Sequence, residues 1–348
     1  MLEYYSKNGV SQSELKKYLG HPRNIDLSKF DDDDIYTNED SALSKGSIVD
    51  LLCTNADAQK IIDENYLPSV DVNLSDTIKN IVRSFHHRVS AKGNDSLSDY
   101  PDVLHEICND QGYYMNRAKP DFKEDKRVSD IIDNDSANKY LDYLKKAEGK
   151  ILISQENLEK AYTIANCINS NETFMRFKDV DTISYQYPFF RTHNVMYNDV
   201  FYEVPVKGLL DVMLIDHKRK IVRIVDIKAI MGKMSSFYNS IFKFRYDIQG
   251  SFYANFIREE LIEKGLKDYS VEFYNLAGSY SDPEHTEMFA YPERVLYTAK
   301  VGKPSKHVLG WDNLMYRKMF YEENGFKYTP EYISSGGMNI VEMFEDKE

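Results

Sequence analysis

Apolar residues recur at helical spacing through most of the first half of the chain. This pattern predicts helices at roughly 39–53, 74–91, 128–148 and 154–170. A shorter helix is predicted within VSQSELKKYLG, because Ser11 is followed three residues later by Glu14, which is the spacing of a capping box. We therefore predict that residues 1–150 form a mainly helical region.

β-branched and aromatic residues dominate after about Asp181. The stretches TISYQYPFF, DVFYEVPVKGLLDVMLID and KIVRIVDIKAI predict three strands, and a helix in DIQGSFYANFIREELIEKG and a strand in YSVEFYNLAG follow them. Further along, RVLYTAKVG is predicted to be a strand and WDNLMYRKMFYEE a helix. The predicted fold class is α/β, with a central mixed β-sheet flanked by helices in residues 151–330 and a polar tail at 331–348.

Two aspartates interrupt these apolar strands, Asp211 in GLLDVMLID and Asp226 in RIVDIK. If residues 217–220 form the loop of a hairpin, Asp216 faces Ile221, and the same count places Asp211 opposite Asp226. Side chains that face each other on antiparallel strands lie about 4.5 to 5.5 Å apart, where two like charges destabilise a sheet. A divalent cation would resolve this conflict, and carboxylate oxygens suit Mg²⁺ or Mn²⁺. The alternative is a hairpin in another register with an Asp–Lys pair on a solvated face.

Lys228 lies on the same strand face as Asp226, because side chains alternate along a strand. Two carboxylates and one ammonium group suit phosphodiester hydrolysis. A bound metal lowers the pKa of water and polarises the phosphoryl oxygen, and the ammonium group stabilises the negative charge that develops.

A possible substrate-binding face follows on the next predicted helix. Gln249 and Tyr253 are four residues apart and project from one side of it. An amide and a phenol can bond phosphate oxygens or a base edge, and Lys243 and Arg245 just upstream can neutralise backbone charge. The alternative is an ordinary amphipathic helix, with the tyrosine packed inward and the glutamine solvated.

Composition limits the function without identifying it. The net charge of −12 argues against a protein that coats nucleic acid by bulk electrostatics, although it allows a local basic channel. The three cysteines form no CxxC pair, so neither a zinc site nor a disulfide framework is indicated. No apolar stretch is long enough to span a membrane, and we expect a cytoplasmic protein. The acidic run Asp31–Asp34 is expected to be a solvated loop without a function.

Three motifs in this order resemble those of a known nuclease family. The sequence contains G-x-x-D at Gly208–Asp211, D-x-K at Asp226–Lys228 and Q-x-x-x-Y at Gln249–Tyr253. Together they resemble the PD-(D/E)xK nuclease superfamily, with its restriction-endonuclease-like core, and specifically its RecB-like exonuclease branch. In addition, VSQSELKKYLGHP and SKGSIVDLLC resemble the first helices of phage exonucleases of the exonuclease-eight type. The resemblance covers residues 180–260 well and extends loosely from the N-terminus to about residue 65.

The resemblance implies roles for individual residues. Asp211 and Asp226 would be metal ligands, together with the Ile227 carbonyl, and Lys228 would be the catalytic lysine. Gln249 and Tyr253 would contact the DNA strand near the scissile phosphate or its terminus. Many relatives have a metal-binding histidine a few residues after a glycine of the early helix, and this chain has Asp50 after Gly46 there. Iron–sulfur relatives use four cysteines, so no iron–sulfur cluster is expected.

The function implied is a Mg²⁺- or Mn²⁺-dependent deoxyribonuclease, and the exonuclease branch favours digestion of linear DNA. Residues 1–150 would shape the DNA channel and 151–330 would form the nuclease core. The resemblance suggests phage recombination or replication in the cytoplasm of a bacterial host, with a single-strand annealing protein as partner. The sequence leaves the oligomeric state open, and a ring-shaped oligomer would favour processive exonuclease action. The alternatives are a structure-specific endonuclease or RNA nuclease on the same site, and a catalytically silent nucleic-acid-binding or scaffold protein.

Overall fold

The computed structural model describes residue 4 and residues 6–20, 41–70, 72–89, 96–113, 124–303 and 308–338. The described helices are α1 (Gln12–Lys16), α2 (Ala42–Thr54), α3 (Ala58–Asn65), α4 (Asp76–Val89), α5 (Pro101–Asp110), α6 (Glu124–Ile132), α7 (Asp135–Lys146), α8 (Gln155–Ser170), α9 (Glu172–Phe177), α10 (Phe237–Phe244), α11 (Tyr246–Glu263), α12 (Glu293–Val301), α13 (Trp311–Asn324) and α14 (Pro330–Ser334). The described strands are β1 (Tyr66–Pro68), β2 (Ile151–Ile153), β3 (Thr182–Tyr197), β4 (Val200–Asp216), β5 (Ile221–Ile230), β6 (Ser270–Ser279) and β7 (Asp282–Tyr291).

The chain forms two compact units that do not follow the division at residue 150. The sheet unit takes its described residues from 1–32, 45–58 and 159–348, and the helical unit takes its own from 33–44 and 59–158. Helix α1 and most of α2 therefore belong with the sheet. The reason is packing, since Leu15 and Tyr18 are buried in the hydrophobic core of the sheet unit. Sequence spacing carries no signal for such long-range packing.

The helical unit contains helices α3 to α7 and a small parallel sheet of β1 and β2. Its core is built from fully buried apolar side chains such as Ile81, Phe85 and Leu104. The single helix predicted at 128–148 is two helices here, because Asn134 interrupts it. The Asn134 side chain accepts hydrogen bonds from the backbone N–H groups of Ser136 and Ala137, which caps α7.

The sheet unit contains a five-stranded mixed sheet in the order β3-β4-β5-β6-β7. Strands β5 and β6 are parallel and the other neighbours are antiparallel. Helices cover both faces, because Phe273 of β6 meets Gly250 of α11 while Gly278 of the same strand meets Ile164 of α8. The predicted α/β class, with a mixed sheet and a helical N-terminal region, is confirmed.

The hairpin of β4 and β5 has the register expected from its loop length. Asp216 pairs with Ile221, and the ladder continues to the pair Val212–Val225. The next facing position on the two strands holds Asp211 and Asp226. Three of the apolar residues that flank these aspartates, Leu210, Val212 and Val225, are fully buried.

Two parts of the C-terminal region differ from the prediction. The segment RVLYTAKVG lies in helix α12 and is not a strand, because Leu296 and Ala299 are buried at helical spacing. The edge strand β7 was not predicted, since its sequence DPEHTEMFAY carries several charges. Part of the polar tail is also structured, with Thr329 capping α14 through the backbone N–H of Tyr332.

Two further expectations concern the acidic run and membrane-spanning segments. The acidic run Asp31–Asp34 lies outside the described residues. Among the residues that are described, no helix is long and apolar enough to cross a membrane.

Candidate active site

The candidate site lies within the sheet unit, where the β-ladder opens around Asp211. The adjacent residue Val212 pairs with Tyr185 of β3 on one side and with Val225 of β5 on the other. Asp211 itself is paired on neither side. Its carboxylate Oδ2 instead accepts a hydrogen bond of 2.7 Å from the backbone N–H of Ile227. The Asp211 side chain thus accepts a backbone hydrogen bond from β5 at the point where β4 and β5 cease to pair.

Asp226 is almost completely buried, with 2% of its surface exposed, and three side chains bind its carboxylate. Lys228 Nζ lies 2.5 Å from Oδ2, in agreement with the predicted shared strand face. Gln249 Nε2 donates to Oδ1 at 2.7 Å and Asn275 Nδ2 donates to Oδ2 at 2.7 Å. One ammonium and two amide groups therefore compensate a carboxylate that an apolar strand alone could not accommodate.

Asn275 extends this network to a third strand. It occupies the position of β6 that pairs with Asp226, and its Oδ1 accepts a hydrogen bond of 2.5 Å from Tyr291 OH. Asn275 is fully buried and Tyr291 nearly so. Tyr291 therefore orients the Asn275 amide, which in turn fixes one oxygen of Asp226.

Asp50 brings a third carboxylate into the electrostatics of the site. Gln186 of β3 reaches it from the break in the ladder, with Nε2 at 3.4 Å from each carboxylate oxygen. Burial, and then the nearby carboxylate of Asp226, raise the pKa of Asp50 to about 6. Burial raises the pKa of Asp211 well above its usual range, and Asp50 and Asp226 raise it further. The three acidic groups thus lie close enough to disfavour one another's ionisation.

The chemistry of these groups fits a hard divalent cation. Carboxylate oxygens are the preferred ligands of Mg²⁺ and Mn²⁺, and a cation would relieve the mutual repulsion of Asp211 and Asp226. Within the described ranges, no group of three or more His, Cys, Asp or Glu side chains is arranged as a complete set of metal ligands. Asp211 and Asp226 are the carboxylates that the geometry places at facing strand positions. The ligand roles of Asp50 and the Ile227 carbonyl remain predictions.

Lys228 is a permanent cation in this environment. Burial lowers its pKa, but the carboxylates of Asp226 and Asp211 outweigh that effect and hold the pKa above its ordinary value. Its Nζ also lies 5.2 Å from the centroid of the Tyr246 ring. A lysine that stays protonated suits stabilisation of negative charge and does not suit proton abstraction.

Gln249 and Tyr253 lie on one face of α11, as predicted, but both are more than nine-tenths buried. Gln249 contacts Asp226, and its Nε2 is 3.5 Å from Tyr253 OH. The Tyr253 ring packs against Phe189, and the same two rings leave no room for a side chain at Gly208, where a Cβ would lie 2.2 Å from Phe189. The described contacts give the pair a role in supporting the site, and the DNA contacts expected of them remain predictions.

The two basic residues that were predicted to bind the DNA backbone, Lys243 and Arg245, have different surroundings. Lys243 is exposed on α10, with its Nζ 5.3 Å from the Phe244 ring centroid. Arg245 forms a bidentate pair with Asp247 and also donates to the Leu309 carbonyl at 3.0 Å. Arg245 thereby joins the start of α11 to a neighbouring loop. A DNA contact by either residue remains a prediction.

Asn275 and Gln186 are residues of the site that the sequence analysis did not predict. Asn275 could have been found from the sequence, because it is a polar residue within the largely apolar strand YSVEFYNLAG. A polar residue inside an apolar strand is also what identified the two aspartates. No sequence pattern identifies Gln186. It adopts a left-handed backbone conformation with φ of 49°, which is uncommon for a residue other than glycine and which fits its place in the opened ladder.

Comparisons with known proteins add little to this description. No protein-family model and no curated protein matches the chain. Among solved structures, the chain is similar to the crystal structure of a candidate exonuclease from Eubacterium rectale, with 14% sequence identity and a TM-score of 0.33. The match covers 79% of this chain and 97% of the other. A TM-score this low supports no conclusion about the fold or the activity of this protein.

Proposed function

We propose that this protein is a metal-dependent deoxyribonuclease that hydrolyses phosphodiester bonds. The observation that supports this most directly is the contact of 2.5 Å between Lys228 Nζ and Asp226 Oδ2, with Asp211 at the facing strand position. Two carboxylates that repel each other can hold a divalent cation, and a lysine held in its charged form can stabilise a phosphoryl group on which negative charge develops.

Each residue of the site has a distinct part in the proposed reaction. Asp211 and Asp226 would hold Mg²⁺ or Mn²⁺. The metal ion, when bound, would lower the pKa of water and polarise the phosphate. Lys228 stabilises the negative charge that develops on the phosphate oxygens, because its pKa keeps it protonated. Gln249 and Asn275 hold the Asp226 carboxylate in one orientation.

The finer parts of the proposal depend on the resemblance in sequence. Exonuclease action on linear DNA follows from the Q-x-x-x-Y motif at Gln249–Tyr253. A role in phage recombination or replication beside a single-strand annealing protein follows from the same resemblance. Neither composition nor charge supports these points independently.

The proposal is tested by cleavage of end-labelled linear duplex DNA and covalently closed circles with Mg²⁺ or Mn²⁺. Asp226→Asn and Lys228→Ala are the test variants. Asp268→Asn and Lys220→Ala are matched controls, since these two residues form an exposed ion pair elsewhere in the sheet unit. Metal-dependent loss of the linear form alone, abolished in both test variants and retained in both controls, is the expected result.

Other outcomes would each change the proposal. Cutting of closed circles would favour the endonuclease alternative, and preference for an RNA substrate of matched sequence would favour an RNA nuclease. Wild-type protein that binds DNA but cleaves neither DNA form nor RNA would refute the enzymatic proposal and leave a nucleic-acid-binding protein.

A further inference from the structure

A second lysine, from helix α1, approaches the candidate site. Lys16 Nζ lies 5.6 Å from the centroid of the Tyr246 ring, and Lys228 Nζ lies 5.2 Å from the same centroid. The two ammonium groups are therefore no more than 10.8 Å apart. The residues next to Lys16 fix the position of its helix. Leu15 is fully buried, and Arg317 donates a hydrogen bond of 3.2 Å to the Tyr18 carbonyl.

Among the described residues, Lys16 differs from the other cations around Tyr246 in having no carboxylate partner. Lys228 pairs with Asp226, and Arg245 pairs with Asp247. Within the part of the chain that the structure describes, Lys16 forms no ion pair. Burial and the charge of Lys228 lower the pKa of Lys16 to about 8, an effect that Asp226 opposes only in part. The structure thus holds a partly buried positive charge that is incompletely compensated.

An incompletely compensated ammonium group beside a second ammonium group is a place for an anion. Desolvating a charge is unfavourable unless an opposite charge is near, and a phosphate oxygen would supply one. Tyr246 contributes the negative face of its ring to both lysines but carries no net charge. An anion that spans the two lysines would contact groups on two different elements, α1 and β5.

We infer that Lys16 binds a backbone phosphate of the nucleic acid, within about three nucleotides of the phosphate that Lys228 contacts. The span follows from the limit of 10.8 Å between the ammonium groups and the rise of roughly 3.4 Å per nucleotide along one strand. This inference rests on the proposed function, because it takes the phosphate at Lys228 to be the scissile one. Lys16 is a substrate-binding residue here and not a metal ligand.

The test compares the salt dependence of DNA binding in wild-type, Lys16→Met, Lys16→Arg and Lys267→Met proteins. Binding of a short labelled duplex is measured in EDTA, which prevents metal-dependent cleavage. Lys267 is an exposed lysine of the same unit and controls for the loss of one charge. Loss of one phosphate contact should reduce the slope of log K against log salt by about one and weaken binding roughly five-fold at physiological salt. Lys16→Arg should retain the slope, and Lys267→Met should match wild type.

The outcomes separate this inference from the proposed function. A Lys16→Met slope equal to that of wild type, in a protein whose cleavage is metal-dependent and lost in Asp226→Asn, would overturn the inference alone. A reduced slope in a protein that never cleaves would refute the proposed enzyme and leave Lys16 as a phosphate contact. Stabilisation by inorganic phosphate that requires Lys16, without any change in DNA binding, would instead indicate a free-anion site and overturn the inference. Thermal melting of each variant confirms that it is folded, and Lys16→Gln replaces Lys16→Met if the latter is not.

Discussion

Replacing Asn275 should expose how strongly the network behind Asp226 is coupled. Asn275→Ala removes a hydrogen bond to a carboxylate, which is worth about 1.5 to 3 kcal/mol, and leaves the buried hydroxyl of Tyr291 without its acceptor, which costs about 1 to 3 kcal/mol more. We expect a loss of about 3 to 5 kcal/mol in the free energy of unfolding. Tyr291→Phe alone should cost less, about 1 to 2 kcal/mol, because its ring stays packed against Phe273.

The double variant decides between a coupled network and two independent contacts. With both groups removed, neither polar partner is left unsatisfied, so the combined loss should fall short of the sum of the single losses by at least about 1 kcal/mol. The assay is urea-induced unfolding of the four proteins in EDTA, monitored by circular dichroism. Tyr274→Phe is the matched control, because its hydroxyl bonds Glu272 from the adjacent position of β6. It should combine additively with Asn275→Ala. Losses that add within about 0.5 kcal/mol in the Tyr291 cycle would refute the coupling.

Three further predictions concern stability and metal binding. Gly250→Ala should lower the free energy of unfolding by about 1 to 3 kcal/mol, because the added Cβ would lie 2.3 Å from the Phe273 ring. Gly46→Ala is the control, since a Cβ at Gly46 meets open space in its helix, and it should be neutral or stabilising in the same urea titration. Since the pKa of Asp50 is raised from 3.8 to about 6, the contribution of Asp50 to wild-type stability should fall as pH rises through that window. Asp50→Asn should therefore gain on wild type by about 2 kcal/mol across it after allowance for solvent screening, as measured by unfolding in EDTA. Mn²⁺ at about one hundred times its dissociation constant should stabilise the wild-type protein by about 2.7 kcal/mol in thermal melts, and an equal gain in Asp226→Asn would contradict the metal site.

The hairpin was predictable because its two determinants are local. Loop length fixed the pairing of Asp216 with Ile221, and alternation of side chains then placed Lys228 beside Asp226. Segment RVLYTAKVG was misassigned because its two valines, its tyrosine and its threonine favour strands locally. In the folded chain the burial of Leu296 and Ala299 against the core overrides that preference.

The supporting residues of the site were less accessible because they depend on long-range pairing. Asn275 reaches Asp226 only because β6 lies parallel to β5 in one particular register, and no local pattern specifies that register. Lys16 lies at the end of a short helix, and the local sequence predicts only where that helix begins, at the capping residue Ser11. Its approach to Tyr246 follows from how α1 packs in the sheet unit. Local patterns therefore identified the groups that we propose carry the chemistry, and only tertiary structure identified the residues that contact them.

The arrangement of the sheet unit along the chain also sets the timing of its assembly during synthesis. Asp50 leaves the ribosome 161 residues before Asp211, and residues 59–158 of the helical unit are made between them. At roughly 5 to 20 residues per second, Asp50 waits roughly 8 to 32 seconds for the strands that carry the other carboxylates. Since domains generally fold as units, we expect the helical unit to fold on the nascent chain before the candidate site can form. Asp226 and Asn275 emerge later still, so the three carboxylates cannot come together before residue 226 has been made, and the network behind Asp226 cannot be complete before residue 275.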